Sequence, residues 1–197
     1  MGLVKSVGVS NYGVDSVRAA HSALKARGIQ LATNQIQLSL LYRFPIDNGL
    51  LQTCDELGVK VLAYSPLCLG FLTGKYNKGN LPSGPRKAAA KKLFEGESEV
   101  AFSNLISVMQ TIANKNKNAS LSQVALNWTR AKGTILIPGA RNLRQEKKNL
   151  DALNWNLTED DVRALDQASI AVPPYIDPAK SPFAKKDIRT GLVMFDS

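Results

Sequence analysis

Short apolar runs and amphipathic stretches alternate along the chain. Residues 4–9 (VKSVGV) form a β-rich run that stops at the polar group Ser10-Asn11-Tyr12-Gly13. A helical spacing follows over 15–27, with Val17, Ala20 and Leu24 on one face and Gly28 placed to end it. Residues 29–37 return to strand. A loop rich in leucine and tyrosine closes at Pro45, and 48–57 read as helix with Leu51, Cys54 and Leu57 in register. Residues 59–64 (VKVLAY) predict a third strand. The segment 65–98 carries five glycines and three prolines and reads as mostly irregular.

Helical spacing resumes over 100–113 through Val100, Leu105, Val108, Met109 and Ile112. Ser120 is placed to cap a helix that runs to about 131 and ends at Gly133. Residues 134–137 (TILI) predict a fourth strand, terminated by Pro138-Gly139. Two short helices follow near 143–153 and 159–168; Thr158 with Asp161 three residues on resembles a capping box, with Asp in place of the usual Glu. Beyond Ser169 the chain becomes proline-rich and unpatterned, as expected of a surface tail. The division is therefore 1–170 as one unit and 171–197 as tail.

Strands that alternate with helices and are themselves continuously apolar indicate an α/β protein with a parallel sheet. Two architectures satisfy that pattern, a doubly wound sheet and a (β/α)8 barrel. The first strand is not followed by G-x-G-x-x-G, which weakens the doubly wound dinucleotide fold. GFLTGK at 70–75 has its glycines one residue too close for a phosphate loop, and Tyr76 stands where Ser or Thr is required.

The chain has 197 residues, enough for one sizeable core and too few for two full domains. No run approaches the ~20 apolar residues of a membrane helix, and the first residues have no leader character. Two cysteines, Cys54 and Cys68, are too few for a disulfide framework and imply free thiols. The sequons at Asn118, Asn127 and Asn156 read as chance matches.

Net charge is +9. Between Lys75 and Lys92 lie six basic residues and no acid, and Arg141, Arg144, Lys147 and Lys148 make a second group. Such groups are either a solvated surface or the footprint of an anionic ligand. No helix-turn-helix, finger or basic-zipper pattern accompanies them, so a small phosphorylated ligand suits the chain better than a nucleic acid.

In parallel β/α barrels the chemistry collects at the C-terminal strand ends. Here those ends read Ser10-Asn11, Asn34-Gln35, Tyr64-Ser65-Pro66-Leu67 and Pro138-Gly139-Ala140-Arg141. They carry no carboxylate, which argues against a two-carboxylate glycosidase and against a metal site. His21, the single histidine, falls on a helix with no acid spaced to orient it. An amide-rich rim matches a ligand that carries an amide: Ser10, Asn11 and Gln35 suit a nicotinamide carboxamide, and Tyr64 a planar ring. For each residue singly, satisfying strand-end backbone is an equal reading; the set points to the ligand.

Four segments, VKSVGVSNY (4–12), NQIQLSLL (34–41), VLAYSPLCLGFLTGKY (61–76) and ILIPGARNLRQEKKN (135–149), together resemble the second half of an aldo-keto reductase. The likeness runs from Val4 to about Ala168. It is greatest to the branch that includes plant plastid oxidoreductases and potassium-channel β subunits. The resemblance implies a partial (β/α)8 barrel, strands five to eight with their helices, that binds NADP(H) without a Rossmann fingerprint. It implies that Ser10, Asn11 and Gln35 meet the carboxamide and Tyr64 stacks on the nicotinamide ring. Ser65, Pro66 and Leu67, followed by Cys68 and Leu69, would line the pyrophosphate, with Lys75 as its cation. Gly139 and Arg141 would approach the 2′-phosphate, and Gln145 and Asn149 the ribose and adenine. Lys148 departs from the acid found near the adenine in relatives.

The same resemblance implies an NADPH-dependent reduction of an aldehyde or ketone. The family's catalytic Asp, Tyr, Lys and His belong to the first four β/α units, so no catalytic residue is assigned here and the chain alone is expected to be inactive. A non-catalytic NADP(H)-sensing regulatory subunit is the alternative. Exposed half-barrel edges would favour self-association. The resemblance puts the protein in the plastid stroma, with the cytoplasm as the other location; no membrane or specific nucleic-acid partner is expected.

Overall fold

A computed structural model describes residues 3–84, 86–117 and 119–174. Its centre is a four-stranded parallel sheet in the order β1-β2-β3-β4: β1 (Val7–Ser10), β2 (Leu31–Gln37), β3 (Lys60–Tyr64) and β4 (Ile135–Ile137). Helix α1 (Val14–Lys25) returns the chain from β1 to β2. Helices α2 (Phe44–Asp47) and α3 (Leu50–Glu56) lead to β3. After β3 come a 3₁₀ turn (Cys68–Thr73), α4 (Arg86–Leu93), α5 (Gly96–Lys115) and α6 (Leu121–Ala131). Beyond β4 lie α7 (Leu143–Asp151), a short 3₁₀ turn (Ala152–Asn154) and α8 (Glu159–Ile170).

The strand register assigns the two faces of the sheet. Ile36, Ala63 and Leu136 sit side by side on the face against which α1, α3 and α6 pack, with Ile36 and Ala63 fully buried. Under that face Val17, Leu31, Ile36, Leu50, Cys54 and Val61 form one core. A larger core joins Leu38, Ala63 and Phe71 to Leu105, Met109, Trp128 and Leu165 of α5, α6 and α8. The opposite face carries Ser10, Gln35, Leu62 and Ile135 in one row and Gln37, Tyr64 and Ile137 in the next. Ile135 and Ile137 remain 52% and 39% exposed.

Several boundaries differ from the sequence expectation. β1 begins at Val7, and Leu3 and Val4 before it stand largely exposed. Pro45 lies inside α2, at the first turn, where its missing N–H removes no helical bond. The helix expected over 48–57 starts at Leu50, because Gly49 at φ 79° turns the chain between α2 and α3. The segment expected to be mostly irregular contains a 3₁₀ turn, all of α4 and the start of α5. The helix expected to 153 ends at Asp151 and tightens into a 3₁₀ turn. The capping boxes of α6 and α8 are both formed, Ser120 with Gln123 and Thr158 with Asp161. Cys54 and Cys68 are both buried, and they form no disulfide with each other. Asn127 is 2% exposed within α6, so its sequon is inaccessible in the folded protein; Asn118 lies outside the described residues. The expected tail falls mainly on 175–197, also outside them. No helix among the described residues is long and apolar enough to cross a membrane.

Candidate functional site

All four strands are parallel, so their C-terminal ends lie along one rim, and the polar residues that follow each strand meet there. The Ser10 hydroxyl donates to the Gln35 carbonyl at 3.0 Å, and the Asn11 N–H donates to the same oxygen at 2.8 Å. Tyr64 reaches across from β3, and its hydroxyl donates to Asn11 Oδ1 at 3.0 Å. Asn34 holds the next residue of the loop: its Nδ2 donates to the Tyr12 carbonyl at 2.9 Å, and its Oδ1 accepts from the Tyr12 N–H. Burial first, and then the neighbouring Tyr42, push the Tyr64 hydroxyl up to about 12, against the lowering effect of Asn11. It therefore stays a neutral donor throughout the physiological range.

The backbone at this rim is unusual. Asn11, Ser65, Cys68 and Leu69 all have left-handed φ, between 48° and 58°. Asparagine tolerates that region, whereas a leucine there carries strain of roughly 1–3 kcal/mol. Leu69 is nonetheless 49% exposed, at the lip of a cavity, with Gly70 beside it at φ 94°.

That cavity, of about 420 Å³, opens between the ends of β3 and β4. Nine of the residues expected to bind a cofactor line it: Ser65, Pro66, Leu67, Leu69, Lys75, Gly139, Arg141, Gln145 and Asn149. Four others, Ser10, Asn11, Gln35 and Tyr64, form the hydrogen-bonded group beside it. Arg86 and Lys148 add two further cations to the lining, which contains no Asp or Glu among the described residues. Cys68, expected beside the pyrophosphate, is instead wholly buried beneath the cavity rim, with its side chain in the core.

Local geometry explains how the wall next to β4 is held. The Asn142 side chain caps α7 by accepting from the Gln145 N–H at 3.0 Å. Gln145 Oε1 in turn accepts from the Arg141 N–H at 2.8 Å. Asn149 Nδ2 approaches the Gly139 carbonyl at 3.5 Å. Gln145 and Asn149 thus fix the loop that carries Arg141 to the start of α7. On the other wall Arg86 donates to the Tyr76 hydroxyl at 2.9 Å, and the Lys75 ammonium lies 5.4 Å from the Tyr76 ring centroid. Thr73, Tyr76, Arg86 and Ser122 were not expected in this wall. Arg86 belonged to the basic run that charge alone had singled out; nothing in the sequence marks Ser122. His21 sits on α1 and takes no part. Among the described residues no cluster of His, Cys, Asp and Glu is suited to a metal.

The sequence profile described as "Aldo/keto reductase family" matches residues 1–170. Over 172 residues the chain is 41% identical to a chloroplastic pyridoxal reductase of Arabidopsis thaliana, covering 87% of this chain and 46% of that protein. It is 28% identical to a putative pyridoxal reductase of Saccharomyces cerevisiae, covering 84% and 51%. Among solved structures it is similar to the glycerol dehydrogenase of Gluconobacter oxydans, with TM-score 0.73 and 26% identity over 90% of this chain and 53% of that one. It is also similar to a Bombyx mori aldo-keto reductase in complex with NADP, with TM-score 0.61 and 25% identity, covering 90% and 48%. The chain spans about half the length of the curated relatives it matches.

Proposed function

The chain belongs to the aldo/keto reductase family, and from that premise we propose that it forms the NADP(H)-binding half of a carbonyl reductase. The observation that carries this reading is the cavity lined by Lys75, Arg86, Arg141 and Lys148, with no Asp or Glu among the described residues of its wall. Four cations with no carboxylate between them suit a ligand with several phosphates. The adjoining Ser10, Asn11, Gln35 and Tyr64 supply amide, hydroxyl and ring groups that suit a nicotinamide. Arg141, at the entry to α7, combines a guanidinium with the free N–H groups of a helix start, a favourable setting for the 2′-phosphate. Lys75 and the Ser65–Leu67 backbone would hold the pyrophosphate.

The sheet order supports a partial barrel, equivalent to strands five to eight of a (β/α)8 fold. Sequential parallel strands with helices against one face leave the other face for a barrel interior. When bound, the cofactor supplies a hydride for an aldehyde or ketone. The residues here bind and orient it. Proton delivery to the carbonyl oxygen calls for an acid matched to neutral pH, and the Tyr64 hydroxyl, pushed up to about 12 and bonded to Asn11, is unsuited to that task. We assign the proton donor to residues outside these 197. Likeness to two proteins named as pyridoxal reductases makes pyridoxal the first aldehyde to test, and the Arabidopsis name makes the plastid the first location.

The test is NADPH oxidation with pyridoxal, followed by absorbance, for this chain and for a longer protein that contains it. The expected result is turnover by the longer protein and none by the chain. Turnover by the chain alone would contradict the division of labour. Cofactor binding without turnover in the longer protein would favour an NADP(H)-sensing subunit.

A further inference from the structure

The ring of Tyr64 is accounted for by the proposed cofactor, but its hydroxyl is not, and that hydroxyl is aimed at Asn11. A side-chain amide presents either a donor or an acceptor to a ligand, according to which end its neighbours occupy. Here Asn11 Oδ1 is taken by the Tyr64 hydroxyl at 3.0 Å. Its main-chain N–H is committed to the Gln35 carbonyl, and its backbone sits at a left-handed φ of 58°. Asn11 Nδ2 has no hydrogen-bond partner among the described residues, although the residue is only 9% exposed. Ser10, next to it, spends its hydroxyl proton on Gln35 and keeps only acceptor lone pairs for a ligand.

Resting on the reading of this rim as a nicotinamide site, we propose that the Tyr64 hydroxyl is a positioning group that locks the Asn11 amide so that Nδ2 donates to the carboxamide oxygen. The carboxamide NH₂ then faces Ser10 Oγ and the Gln35 side chain. This polarity fixes which way round the carboxamide lies, and with it the edge of the ring presented over Tyr64. Tyr64 therefore acts twice, by its ring on the nicotinamide and by its hydroxyl through Asn11. An aromatic residue without that hydroxyl would supply only the first.

The experiment is calorimetric titration of the full chain and its variants with three probes: NADP⁺, its 3-acetylpyridine analogue, and 2′-phospho-ADP-ribose. The analogue keeps the carbonyl oxygen but lacks the NH₂; the third probe lacks the nicotinamide altogether. Tyr64→Phe keeps the ring and should weaken NADP⁺ about three- to tenfold, the range for one hydrogen bond. Asn11→Gly, which suits the left-handed backbone, should weaken NADP⁺ and the acetylpyridine analogue equally. Adding Tyr64→Phe to Asn11→Gly should cost nothing more, and 2′-phospho-ADP-ribose should bind all variants alike. An Asn11→Gly loss confined to NADP⁺ would mean that Asn11 accepts from the NH₂, and the polarity is overturned. Additive losses, or a parallel fall for 2′-phospho-ADP-ribose, would reduce the hydroxyl to a structural role. If the unaltered chain binds 2′-phospho-ADP-ribose but not NADP⁺, the nicotinamide site itself is wrong; if it binds neither, the cofactor reading fails first and takes this inference with it.

Discussion

Arg141 and Asn11 occupy opposite ends of the proposed cofactor site, and each is held by a hydrogen bond from its backbone N–H, so that in this proposal its side chain is left for the ligand. Arg141 has its N–H bound by Gln145, so the guanidinium is free to meet an anion without first ordering the loop. In a protein that binds both cofactors measurably, Arg141→Ala should weaken NADPH by at least about tenfold and NADH little, since only the former carries the 2′-phosphate. Fluorescence titration with the two cofactors reads this directly. Equal losses would place the 2′-phosphate elsewhere. At this scale the sequence was informative where polarity is out of place: hydroxyl and amide groups at the ends of apolar strands, and an arginine after Pro138-Gly139. It was silent on conformation. Leu69 at φ 55° follows no propensity; it lies between Cys68 and Phe71, both buried in the core. It was equally silent on the bond from Tyr64 to Asn11, which joins residues 53 positions apart.

Among the elements, α2, α6 and α8 are tied together by one carboxylate. Asp166 accepts from Arg43 at 3.1 Å, from Trp128 Nε1 at 2.9 Å and from Lys132 at 2.7 Å. Burial alone would raise its pKa, but the bonds from Lys132, Trp128 and Arg43 and the Lys132 charge together hold it below the ordinary 3.8. A carboxylate with a depressed folded-state pKa stabilises the fold fully above its unfolded value and loses that contribution as pH falls through the folded one. Asp166→Asn should therefore cost about 1–3 kcal/mol at pH 7, and the difference from wild type should shrink as pH falls below the ordinary carboxylate range. Denaturant melts at pH 7 and under acid conditions measure it; a pH-independent difference would mean that the charge is irrelevant.

The strands have a close contact of their own. A Cβ at Gly8 would fall 2.2 Å from Thr33 Oγ1, at the point where the β1–β2 register skips Ala32. Gly8→Ala should lower thermal stability by about 1–3 kcal/mol, and Thr33→Ala in the same chain should recover most of it. The elements with a period in their sequence, α1, α5, α6 and α8, were legible; α4 was not. RKAAAKKL carries no apolar stripe, and the helix is fixed instead by Ala90 and Leu93 reaching a core built by distant segments.

For the whole molecule, the parallel sheet and the alternation of strands with helices were legible because strands buried on a face and stripes on helices leave strong periods. What pairs with β1 and β4 was not, since neither edge strand has a second neighbour among the described residues. Ile135 and Ile137 on β4 stand partly exposed, with Leu3 and Val4 exposed just before β1. Unpaired parallel edges with apolar side chains favour pairing with another chain. Light scattering of the isolated chain should accordingly report dimers or larger species at micromolar concentration, and a monodisperse monomer would contradict that expectation. The central claim is that these residues carry a cofactor site selective for the 2′-phosphate, and direct titration of the purified chain with NADPH and with NADH tests it. The account predicts saturable one-site binding of NADPH at least about tenfold tighter than NADH; failure to bind either cofactor, or equal affinity for both, would contradict it.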